Sequence, residues 1–129
     1  MVEIYRTDQQ VLNTLTDIQD GCWINMVDPT SKELEQIAER FEIEPEDISS
    51  ALDEEESSRI SLEDGYTVIL VDIPTPEVRH EKKMYTTIPL GIILKSEAII
   101  TVCNPVLSRN MLASVNSTKA LSEGWNNVG

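Results

Sequence analysis

The densest reactive chemistry in the 129 residues is the run Asp53-Glu54-Glu55-Glu56, four carboxylates directly after the apolar positions Ile48, Ala51 and Leu52. Carboxylate oxygens are hard ligands suited to Mg²⁺ and Ca²⁺, and Mg²⁺ commonly keeps most of its waters and takes only one or two of them. Residues 42–64 hold ten acidic residues against one base, Arg59. If the apolar positions belong to a helix, the carboxylates crowd the negative end of its dipole, each mismatch costing ~0.3–1 kcal/mol, which a nearby cation relieves. The plain alternative is a solvated acidic helix end, because charge runs usually face water. No Asp-x-Asp-x-Asp-Gly loop occurs, so the EF-hand arrangement is excluded.

Other chemistries lack parts. Nucleophilic catalysis needs a base held beside a Ser or Cys, and the sole histidine, His80, sits in the charged stretch Arg79-His80-Glu81-Lys82-Lys83, where a surface role is expected. Cys22 and Cys103 are far apart in apolar segments, which fits reduced core thiols and neither a zinc site nor a disulfide framework. The five glycines are scattered, so no phosphate-cradling loop is formed. The expectation is therefore no enzyme, no catalytic residue and no organic cofactor.

A net charge of −13, from 23 acidic and 10 basic residues, disfavours nucleic acid and anionic lipid as partners and favours cations or basic surfaces. The longest apolar runs, such as Ala98 to Cys103, are too short to cross a bilayer, and the N-terminus has no signal core.

The elements that must position the acidic run are legible from spacing. Residues 2–6 and 22–27 read as strands, with the segment between them ambiguous. Thr30 and Glu33 have capping-box spacing ahead of Leu34, Ile37, Ala38 and Phe41, an amphipathic helix. Pro45 starts a shorter helix that ends near Asp53. Arg59 to Leu62 and Tyr66 to Ile73 form strands joined through Asp64-Gly65. Pro74 and Pro76 are expected to stop the second of these, with Glu77 to Lys83 as a loop before a strand from Met84 to Leu94, where Pro89 and Gly91 imply a bulge or an edge. Lys95-Ser96-Glu97 turns the chain into the strand Ala98 to Cys103; Asn104-Pro105 turns it again, and Met111, Leu112 and Val115 indicate a third helix. Trp23, Tyr66 and Tyr85 are expected to pack in the core. Hydrophobic spacing fades from Asn116, so 116–129 reads as a tail or the start of a further helix.

The order Trp23-Ile24-Asn25, Asp28-Pro29-Thr30, Ala51-Leu52-Asp53-Glu54-Glu55-Glu56-x-x-Arg59, then Tyr85 to Leu94 resembles the N-terminal cytoplasmic domain of CorA-like magnesium transport proteins over about residues 2–115. The resemblance implies an α/β fold, a layered α/β/α domain with a mixed, largely antiparallel sheet. It further implies a stalk helix and membrane helices beyond the sequence in hand, a homopentamer in the full-length protein, with this stretch alone monomeric, and a place on the cytoplasmic face of the membrane. The Gly-Met-Asn signature of such pores is absent from the sequence. The implied role is regulatory: Mg²⁺ bound between neighbouring domains holds the channel closed. Where members of that family carry an acidic pair late in the second helix, this sequence has Ser49-Ser50, and the ligand role passes to Asp53 and Glu54. The alternatives are a member moving Zn²⁺, Co²⁺ or Ni²⁺, and a stand-alone acidic module docking a basic protein.

Overall fold

The computed structural model describes residues 1–53, 55–105 and 107–109. Its centre is a seven-stranded sheet built from β1 (Val2–Asp8), β2 (Val11–Leu15), β3 (Cys22–Val27), β4 (Arg59–Glu63), β5 (Tyr66–Arg79), β6 (Lys82–Leu94) and β7 (Ala98–Cys103), in the order β2-β1-β3-β7-β6-β5-β4. Every pairing is antiparallel except β3 with β7, which run parallel from Cys22↔Ala98 to Val27↔Cys103. A parallel pair needs a crossover, and the chain between β3 and β4 supplies the helices α1 (Ser31–Phe41) and α2 (Pro45–Ser49), the latter continued by a 3₁₀ turn, Ser50–Leu52.

Helix α1 starts as its capping box requires. The Thr30 hydroxyl accepts from the Glu33 N–H at 3.2 Å and the Glu33 carboxylate accepts from the Thr30 N–H at 3.0 Å. Glu42 ends the helix in the left-handed region, φ 55°. The Lys95 ammonium donates to the Phe41 carbonyl, placing a cation on the helix's negative end. Ile37, Ala38 and Phe41 then pack with Ile48 and Ala51 onto Ile24, Met26, Val68, Ile93, Ile100 and Val102, one face of the sheet and the main core.

The opposite face carries a second cluster, Ile88, Leu90, Cys103 and Leu107, with Leu107 coming from the helical turn that follows β7. The Asn104 side chain caps that turn by accepting from the Leu107 N–H at 2.9 Å. Elements on both faces give the layered α/β arrangement expected. The boundary expected at residue 115, the helix around Met111, Leu112 and Val115, and the tail 116–129 lie outside the described residues.

One expectation is corrected and another is narrowed. Pro74 and Pro76 do not stop β5: the β5–β6 ladder continues without a break to Arg79↔Lys82 and closes through His80 and Glu81, both at positive φ. The pairs Asp72↔Pro89, Pro74↔Thr87 and Pro76↔Tyr85 share one register parity. In an antiparallel ladder alternate pairs exchange no N–H bonds, so a single register turns all three proline nitrogens away from the partner strand. Of the bulge or edge expected at Pro89 and Gly91, the edge is what forms: the β5–β6 register runs through both without a bulge, and pairing with β7 stops at Gly91↔Val102, so Pro89 lies beyond it on the edge. Gly91 is where the 3₁₀ turn presses on β6: a Cβ there would lie 2.2 Å from the Ala51 Cβ. The ambiguous segment after residue 6 is a hairpin, β1–β2, closed by Gln9 and Gln10 at φ 51° and 66°.

Candidate cation site at the foot of the long hairpin

The helical segment is short because its last turn tightens. After Pro45 at the first helical position, α2 spans only five residues before the 3₁₀ turn, and Asp53 leaves it in extended conformation at φ −89°. Asp53 therefore does sit at a helical C-terminus, as read from the sequence. Its carboxylate is exposed and accepts from the Glu55 N–H at 2.9 Å, while the Glu56 N–H donates to the Asp53 carbonyl at 3.1 Å. On this compact turn Asp53, Glu55 and Glu56 are exposed to solvent. Glu54 lies outside the described residues.

Around the turn, Ser50, Asp53, Glu56 and Ser58 meet Asp72, Pro89 and Leu90 in a narrow crevice where β5 and β6 leave the sheet. The only base in the segment, Arg59, reaches Glu56 at 4.0 Å with both side chains more than a third exposed, a contact of small worth. Among the described residues no three His, Cys, Asp or Glu side chains converge as a ready metal centre. What the turn offers is outward-facing oxygens, able to complete a shell shared with water or another surface.

The other acids of α2 have different employment. Asp47 accepts from the Tyr66 hydroxyl at 2.6 Å, and that hydroxyl accepts from the Glu44 N–H at 3.2 Å, so β5 anchors the start of the helix. Burial, then the bond to Asp47, pushes the Tyr66 phenol up to about 12. Ser49 turns its hydroxyl back to the Glu46 carbonyl at 3.1 Å. Part of a second acidic surface was not read from the sequence: Glu35 and Glu39 of α1 join Glu42 and Glu44, already counted in residues 42–64, around an open groove between α1 and α2. Its signal was present in the i, i+4 spacing of Glu35 and Glu39 on the solvent side of α1.

The remaining candidates fall where solvent or core predicts. His80 is exposed at the hairpin turn. Cys22 and Cys103 are free and buried, and burial, then Glu3, raises the Cys103 thiol to about 11, leaving it protonated and inert. Trp23 is half-buried and stacks on Tyr5 at 5.0 Å, and Tyr66 is buried; the Tyr85 side chain lies outside the described set. The Trp23-Ile24-Asn25 triplet has a structural purpose. Ile24 enters the helix-side core, while on the other face the Trp23 indole donates to Thr101 at 2.7 Å, Thr101 donates to Asn25 at 2.9 Å, and Asn25 donates to Ser108 at 2.8 Å. Asn25, fully buried, thus ties β3 to β7 and to the turn beyond it.

A family model described as CorA-like Mg2+ transporter protein matches residues 19–119. The cobalt/magnesium transport protein CorA of Methanocaldococcus jannaschii is 29% identical over 80 residues, 62% of this chain and 24% of that protein. Two solved structures from the same organism share the fold. The complete CorA magnesium transporter superposes with a TM-score of 0.65 at 21% identity, covering 93% of this chain and 38% of that one. The soluble domain of CorA superposes with a TM-score of 0.65 at 22% identity, covering 92% and 46%. The chain spans less than half the length of each of these relatives. No described helix is long and apolar enough to cross a membrane.

Proposed function

The chain belongs to the CorA-like Mg2+ transporter family, and from that premise we propose that it is the cytoplasmic, Mg²⁺-sensing regulatory domain of a divalent-cation transporter, not its pore and not an enzyme. The observation that carries this reading is the acidic turn after α2, where Asp53, Glu55 and Glu56 stand exposed at the foot of the β5–β6 hairpin beside one weakly engaged base, Arg59. Asp53 and Glu54 are its proposed ligands. A cation held between carboxylates of neighbouring copies in a homopentamer stabilises the closed packing alone, and its loss leaves like charges opposed across the interface. Regulation is then linkage: the packing that binds the cation is the packing the cation favours.

Neutralising the pair, Asp53→Asn with Glu54→Gln, in the full-length transporter is expected to abolish Mg²⁺-dependent closure while conduction persists. Gating that still follows cytoplasmic Mg²⁺ in this variant would sink the ligand assignment. In the chain itself, Mg²⁺ is expected to raise the melting temperature beyond what NaCl does at equal ionic strength. The name of the cobalt/magnesium relative supports a second reading in which the transported ion is Co²⁺. Uptake by the full-length transporter, compared for Co²⁺ and Mg²⁺, separates the two.

A further inference from the structure

The β5–β6 ladder outruns the sheet. Pairing with β4 stops at Arg59↔Leu70 and pairing with β7 stops at Gly91↔Val102, yet β5 and β6 stay paired from Asp72↔Pro89 to Arg79↔Lys82. Seven steps at ~3.3 Å carry the turn about 23 Å past Asp72. At that tip stand Arg79, His80, Glu81, Lys82 and Lys83, three of the ten basic residues, giving a net charge of +2 (three bases less one acid, His neutral) in a chain of −13. His80, Glu81 and Lys82 are exposed. The acidic turn with Asp53, Glu55 and Glu56 lies at the other end, against Asp72 and Pro89. A paired antiparallel ladder cannot fold back over its own length, so the strongest basic cluster is held away from the acidic run it complements.

We propose that the tip of this arm docks on the acidic turn of a second copy of the same chain. The contact is heterologous: one surface is given and a different one received, the geometry that closes into a ring when repeated. The prolines favour tip over edge. Pro74, Pro76 and Pro89 lack the N–H groups an incoming strand would need along the arm's outer edges, which discourages pairing side by side and leaves the charged end as the docking element. Exposed ion pairs are individually weak and screened by salt, so the contact orients copies rather than holding them alone.

The test is made in EDTA at low salt, which separates it from metal bridging. Chains carrying Glu81→Cys are mixed with chains carrying Glu55→Cys, and the rate of the mixed disulfide is compared with that for Asn13→Cys, an exposed position on β2 at the far edge of the sheet. The tip-to-turn pair is expected to form at least about tenfold faster. Adding Lys82→Glu and Lys83→Glu to the tip chain is expected to remove that advantage. Adding Asp53→Lys and Glu56→Lys to its partner is expected to restore it. Equal rates at the two positions, or an advantage that survives charge reversal, would overturn the proposal. So would loss of the advantage without restoration by the swapped partner.

Discussion

Gly91 and Ala51 meet where the 3₁₀ turn crosses β6, with no room for one more methyl group. Gly91→Ala is therefore expected to destabilise the fold by about 1–3 kcal/mol, and adding Ala51→Gly should recover part of it; urea unfolding of the two single variants and the double measures the coupling. The titratable residues make a separate prediction. Tyr5 and Tyr66 are raised from 10.0 to about 12, chiefly by burial, and Cys103 from 9.0 to about 11 for the same leading reason. The folded state holds these protons more tightly than the unfolded chain. Their contribution is thus complete below pH 9 and lost from pH 9 to 11 for Cys103 and from 10 to 12 for the tyrosines. Urea midpoints followed from pH 8 to 12 should fall in that window, and less steeply in Tyr66→Phe. A flat profile would contradict the burial argument.

At the scale of elements, what could be read in advance was whatever is encoded within one turn of chain. Thr30 with Glu33, Pro45, and Asp64-Gly65 each act on neighbours a few residues away, and each does what its spacing predicts. The two missed hairpin turns share the opposite property. Gln9-Gln10 and His80-Glu81 adopt positive φ without the Asn or Gly that normally advertises such a turn, so the strands on either side impose the geometry. Proline parity is likewise invisible until the partner strand and its register are known. That strain gives an expectation: Gln9→Asn with Gln10→Gly should stabilise the β1–β2 hairpin by about 1 kcal/mol, seen as a higher urea midpoint with an unchanged slope.

Over the whole molecule, the candidate site was legible as charge and not as geometry. The acidic run Asp53 to Glu56 is plain in the sequence, whereas the place of Asp53 and Glu56 at the foot of a projecting arm depends on how far β5 and β6 stay paired. A charge of −13 on 129 residues also acts on the fold as a unit. The compact state gathers like charges that the unfolded chain keeps farther apart, and at low ionic strength, with a Debye length of ~30 Å at 0.01 M, nearly every pair across a domain this size is felt. Raising NaCl to 0.15 M shortens that length to ~8 Å and confines the repulsion to near neighbours. The thermal midpoint should therefore climb with NaCl over this range and then level off. Reversing charges within the acidic run, Glu55→Lys with Glu56→Lys, should raise the low-salt midpoint and flatten its salt dependence. Lysines placed instead at Asp8 and Asp20, outside residues 42–64, should do so less, because fewer acidic residues flank them along the chain and the nearest pairs repel most strongly. Equal effects at both places would mean that the repulsion is spread evenly over the surface and that the acidic turn is not its focus.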